Sequence, residues 1–235
     1  MKNIYPSPSQ EHPHLSEGTN EHQKDPASGD LTPQGRCGIY TFYKDRLKQN
    51  GRWIRIVSVW LVVSFVIGAI ISFFVPEFLE EIISAFQDKF GEDPELNFNL
   101  VKAIFIQNTF VSLVSLFGGL LLGLGPLLAV TLNGFLIGFI TFSVISISDV
   151  GLTGTLLFLL LAMLPHGILE IPAIIIASSL GLRLGINWTS IKNKENRWQI
   201  FKSDLKLALW FLPLIIFLLF AAALAEVFIT GNIVG

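Results

Sequence analysis

From Ala103 to Ser148 the chain carries no Asp, Glu, Lys, Arg or His. As one helix rising 1.5 Å per residue, this stretch would be about 69 Å long, more than twice the roughly 30 Å hydrocarbon thickness of a bilayer. It can neither rest in water nor cross a membrane once, so it must fold back. The fold-back point is legible at GGLLLGLGP, where Gly118, Gly119, Gly123 and Gly125 precede Pro126. Proline at a first helical position is a natural restart. Spans at about 103–122 and 126–147, joined by a tight turn, follow.

The rest of the chain agrees. Only 14% of its residues are charged, against roughly 25% in a soluble domain. The charges are also segregated, leaving a second apolar run at about 53–75 that ends at Pro76, a third at about 152–184 and a fourth at about 205–229 containing Pro213. Trp53 and Trp60 suit an interfacial aromatic belt. Ten-residue alternating segments, the mark of a membrane β-barrel, do not occur. The expected fold class is all-α: a multi-pass transmembrane helical bundle of five spans. Residues 1–36 are rich in Pro, Ser, Glu, His and Gly and read as a disordered polar cytoplasmic tail, leaving 37–235 as the transmembrane domain. Cys37 is the single cysteine, so an intrachain disulfide is excluded. It is expected to be a free thiol, with acylation as the alternative. His12, His14 and His22 in the polar tail read as chance composition and not as a metal site. No cleavable leader is expected, so the first span acts as its own insertion signal.

Between the first two spans, PEFLEEIISAFQDKF places Phe78, Leu79, Ile82, Ile83, Phe86 and Phe90 at helical spacing, with most acids on the other side. Such a segment, about 77–90, is an amphipathic helix too short and charged to cross. Its apolar face is expected to dock a partner or lie on the membrane.

Orientation follows from Lys and Arg placement. Six basic residues precede span one (Arg36, Lys44, Arg46, Lys48, Arg52 and Arg55), and six more lie between Arg183 and Lys206, whereas the 76–99 loop holds seven acids beside Lys89. Both basic segments are therefore expected in the cytoplasm, giving N-in/C-out. Parity then requires 151–185 to cross once. That is too long for a straight span, so a broken helix at Pro165–Gly167, tilt, or extension past the bilayer must absorb the excess.

Polar groups at membrane depth are costly and tend to face the bundle interior. Gln107, Asn108, Asn133, His166, Glu170 and Glu226 form the candidate intramembrane cluster. His166 and Glu170, four apart, share a helix face. That face continues as Ala173, Ala177, Gly181 and Gly185, a small-residue stripe that allows close helix approach. Gly134 and Gly138 give span three a comparable notch. The expected arrangement has Glu170 held by His166 and by an amide from Asn108 or Asn133. Two uses stay open: fixing the bundle, or serving as a solute or ion carrier site, since broken helices and midplane polar groups are carrier features. Catalysis is less supported. Neither HExxH nor GxSxG occurs, and zinc would want three convergent ligands. No catalytic residue, metal or cofactor is expected.

At these residues the chain resembles a known family. PHGILEIPAIIIASSLGLRLG is similar to the hallmark of the stage II sporulation protein M family. NGFLIG at 133–138 resembles its asparagine–glycine element, AAALAEVFIT at 221–230 its final span with one glutamate, and Gln107–Asn108 its paired amide. The resemblance covers about 40–230. It implies a membrane scaffold, since sporulating members are described as multi-pass scaffolds that hold peptidoglycan-degrading partners at the septal membrane. Many relatives occur in organisms that make neither spores nor murein. The expected function is thus a non-enzymatic scaffold at the cell membrane. Its partners would be the lipid bilayer, other membrane or envelope proteins and a further copy of the chain, with no nucleic acid. A small-solute or ion carrier or channel subunit is the alternative.

Topology is testable with Cys37 replaced and single cysteines introduced. In intact cells an impermeant maleimide should label Gly91→Cys and Asn232→Cys and spare Thr189→Cys. Labelling of Thr189→Cys would mean that 151–185 crosses twice.

Overall fold

A computed structural model describes residues 35–91, 96–147, 151–189 and 196–230. The polar tail assigned above falls outside them up to residue 34. The described chain is helical: α1 (Gly35–Gln49), α2 (Gly51–Ser72), α3 (Phe78–Phe90), α4 (Phe98–Gly118), α5 (Leu124–Ile147), α6 (Gly151–Thr189) and α7 (Arg197–Ala225), which passes into a π-helical turn, Glu226–Thr230. Five of these are long and apolar enough to cross a membrane: α2, α4, α5, α6 within Gly167–Thr189, and α7. Their outward faces are apolar, as at Val59, Phe110, Leu128 and Phe217, each more than 60% exposed. In water such faces would form a continuous greasy patch; against lipid tails they cost nothing.

Local chemistry sets boundaries that hydropathy alone misplaces. α4 begins at Phe98 and not near 103, because Asn97 caps it: its side-chain oxygen accepts from Asn99 N at 2.9 Å and Leu100 N at 3.2 Å. Lys102 stays exposed within the helix. After Gly118 the chain reverses through Leu122 (φ 57°) and Gly123 (φ 81°), left-handed conformations that glycine adopts without a Cβ penalty. α5 starts at Leu124, so Pro126 is its third residue rather than its first. Its missing N–H still falls in the first turn, where such donors have no intrahelical acceptor. α1 was not expected as a helix; its aromatic residues pack on α7, Phe42 against Trp210 and Tyr43 against Phe211.

α6 corrects the expected break. It is one helix of 39 residues, about 58 Å, through Pro165, Gly167 and Pro172. Proline removes one amide donor and crowds one carbonyl, yet helical structure resumes on both sides. The tripeptide therefore does not separate two helices, and of the three expected ways to absorb the excess length, tilt and extension past the bilayer are the two compatible with an unbroken helix.

The helices alternate in direction. α2 and α5 run parallel and pack most extensively, followed by the antiparallel pair α6 and α7. Along the α2–α5 seam Trp60 Nε1 donates to Thr131 Oγ1 at 2.8 Å. A Cβ on Gly134 would come within 2.7 Å of the Leu61 carbonyl oxygen, and Gly138 and Gly68 press on the backbones of Phe65 and Phe135. Between α6 and α7, Ala173, Ala177 and Leu180 meet Leu207, Ala208, Phe211 and Ile215. One end of the bundle thus gathers α1, the α4–α5 turn, the end of α6 and the start of α7. The other gathers α3, the start of α4 and the π turn.

On α3, Phe78 stacks edge-on against Phe139 of α5 and Leu79 is buried. Part of the face expected to dock elsewhere is covered by the bundle itself. Ile83 remains exposed, and the side chains of Phe86 and Phe90 lie outside the described residues.

Gly138→Leu should lower the unfolding temperature in detergent by the equivalent of at least ~1–3 kcal/mol, the usual cost of overpacking, or prevent folding. Gly51→Ala, whose new Cβ meets nothing within 4 Å, should leave the temperature unchanged.

Candidate functional site

α4 and α6 run parallel along a seam of small and polar residues. Near one end Asn108 Nδ2 donates to Glu170 Oε2 at 3.1 Å, and Glu170 is only 8% exposed. Two turns further, the hydroxyls of Ser115 and Ser178 share a hydrogen bond of 2.8 Å, both buried. Below them the backbones meet: a Cβ on Gly181 would lie 2.5 Å from the Ser115 carbonyl oxygen, and Gly119 faces both Gly181 and Gly185. The spacing 108, 112, 115, 119 on α4 and 170, 174, 178, 181, 185 on α6 follows the three-and-four rule that keeps residues on one helix face. Thr109 and Ser112 line a cavity of about 10 Å³ between α4 and α7, walled by Leu113, Leu116 and Ile215. That is about the least space that admits a single water.

The other candidate residues divide. Asn133 is partly buried, but its amide donates to its own helix at Ala129 O, 2.8 Å away, and not to Glu170. An amide in a helix finds the carbonyl one turn back more readily than a partner on another helix. Gln107 points to the exposed side of α4. Glu226 lies in the π turn, which packs on α6 and the start of α4. The His166 side chain falls outside the described residues, and with it the expected His166–Glu170 contact. Ala173 and Ala177 face α7, whereas Gly181 and Gly185 face α4, so the stripe serves two neighbours. Among the described residues no three His, Cys, Asp or Glu side chains converge as metal ligands would.

A second polar cluster escaped the sequence. Arg183 on α6 meets Asp204 on α7 through Nε and a terminal nitrogen, each 2.9 Å from Oδ1. Asn187 Nδ2 donates to Oδ2 at 2.7 Å. Asp204 is 4% exposed and belongs inside α7, although hydropathy began the span at about 205. Arg183, counted above as a loop charge, is instead a helix residue neutralised across the interface. The signal available was Arg183 and Asn187 four apart, followed by a basic segment that carries only two acids, Glu195 and Asp204. Nearby, Asn50 Nδ2 donates to Ser179 Oγ at 2.8 Å, tying the α1–α2 junction to α6. Tyr43 donates to Trp210 O at 3.0 Å, and burial raises the pKa of its hydroxyl above the ordinary tyrosine value.

Apolar outward faces, small-residue crossings and polar groups bonded between helices define a multi-pass helical membrane protein. Residues 57–231, more than half of the chain, match the family described as stage II sporulation protein M, and the chain belongs to that family. It is also 30% identical over 141 residues, 60% of this chain and 75% of the relative, to an uncharacterized protein of Methanocaldococcus jannaschii. No solved structure matches it.

Arg183→Ala would strand the buried Asp204 carboxylate. Breaking a fully buried pair costs about 3–5 kcal/mol; with the Arg183 side chain 22% exposed, about 2–3 kcal/mol is expected in thermal unfolding. Arg183→Met combined with Asp204→Leu should recover part of that loss.

Proposed function

We propose that the protein is a scaffold: a five-span bundle that organises partner proteins, among them envelope-remodelling enzymes, at the cell membrane without catalysing a reaction itself. The observation that carries this reading is the employment of the interior polar groups. Asn108–Glu170, Ser115–Ser178, Asn50–Ser179 and Arg183–Asp204 each join one helix to another. Groups bonded in this way fix helix register, whereas a carrier site must release its partners to take up cargo. Family membership supports a membrane role of the same kind.

A carrier remains the second reading because Glu170 places a buried carboxylate inside a candidate span, where ionisable residues mark proton and ion paths. Purification from native membranes under mild detergent separates the two. Co-purifying envelope enzymes are expected for a scaffold; stabilisation by a solute or a proton gradient signals a carrier.

Glu170 itself gives a sharper test. Glu170→Gln keeps an acceptor for Asn108 and should retain both stability and partner recovery. Glu170→Ala should lose about 0.6–2 kcal/mol, the range for an interhelical hydrogen bond. A stable Glu170→Gln protein that has lost its function would overturn the scaffold reading.

A further inference from the structure

Charge is sorted between the two ends of the bundle. At the α3 end, Glu77, Glu80, Glu81 and Asp88 are exposed. At the α1 end, Lys44, Lys48, Arg52, Arg55, Lys202 and Lys206 are exposed. These cations come from two parts of the chain separated by about 150 residues. Tertiary packing unites them: Tyr43 bonds to the Trp210 backbone, and Asn50 bonds to Ser179. Among the described residues here, Asp204 is already committed to Arg183, leaving Asp45 as the exposed carboxylate.

Aromatic rings lie beside the cations. Lys44 stands 5.7 Å from the Tyr40 ring, Arg52 5.6 Å from Trp53, Arg197 5.8 Å from Trp188 and Lys202 5.3 Å from Trp198. Tyr40 is 70% exposed and Trp198 57%. Exposed rings with a polar edge occupy the headgroup zone of a bilayer, and a cation over such a ring is held at the same depth. α1 carries four charges in its second half and cannot cross, yet it lies against α7, itself a candidate span. It therefore rides at the membrane boundary and not away from it.

We propose that this rim of α1, the start of α2 and the start of α7 is a binding surface for anionic lipid headgroups. The cations supply the charge, and the rings set its depth. Each basic residue near an anionic surface is worth roughly fivefold in affinity, so four removed together should abolish the preference. The surface acts the same way whether the bundle is a scaffold or a carrier.

The test uses the full-length protein in nanodiscs of phosphatidylcholine alone or mixed with phosphatidylglycerol. Thermal stability and retained lipid, counted by native mass spectrometry, are the readouts. Wild type should be stabilised by phosphatidylglycerol and retain it selectively, and high salt should weaken both effects. Arg52→Gln/Arg55→Gln/Lys202→Gln/Lys206→Gln should lose the preference, while Lys102→Gln at the other end keeps it. Equal retention of the two lipids by wild type, or a folded fourfold variant that still selects phosphatidylglycerol, overturns the proposal. So does equal stabilisation by inorganic phosphate, which would make the site one for free anions. If the fourfold variant does not fold, the salt dependence of wild-type retention decides: salt-independent retention overturns the proposal.

Discussion

Close approach of helix backbones at glycine is the contact on which the other interactions depend. Lipid tails are as apolar as leucine, so burying leucine between spans gives little drive toward association. What remains is packing distance. Gly119, Gly181 and Gly185 bring α4 and α6 together until a Cβ on any of them would collide with a carbonyl oxygen across the seam. At that separation two serine side chains, Ser115 and Ser178, can bond directly. Asn108 and Glu170 meet by the same geometry one stage further along the seam. The α2–α5 seam repeats the principle with Gly68, Gly134 and Gly138, and there Trp60 reaches Thr131.

The polar groups gain from this packing and also secure it. A buried carboxylate without donors would be expensive at this depth. Glu170 receives an amide and Asp204 a guanidinium with a further amide. Each bond ties one helix to another, so sliding one helix by a turn would break several at once. That register-setting role is the physical basis of the proposed scaffold function. The charged rim, proposed above as a surface for anionic lipid headgroups, is separate from these interior bonds.

Much of this was legible without coordinates. An uncharged stretch twice the membrane thickness has no soluble solution, and GGLLLGLGP offered one place to turn. The five spans and the small-residue stripe followed from length and periodicity, both local properties. Asn108 was named as one of two amides that could serve Glu170; composition could not choose between them. Asn133 satisfies itself at Ala129 because a helix always offers the carbonyl one turn back. Arg183 and Asp204 were hidden because hydropathy scores each residue as though it were unpaired.

The sequence by itself determined which segments must be helical and membrane-embedded, because backbone satisfaction in lipid admits few other answers. It also determined which faces could come close, since only residues lacking bulk permit it. The tertiary structure alone decided which polar groups became partners, where α1 rests, that α6 continues through Pro165–Gly167, and that basic residues from both halves of the chain share one rim. Those outcomes depend on distances between helices. Such distances are set by packing among residues remote in the chain, and no local pattern encodes them.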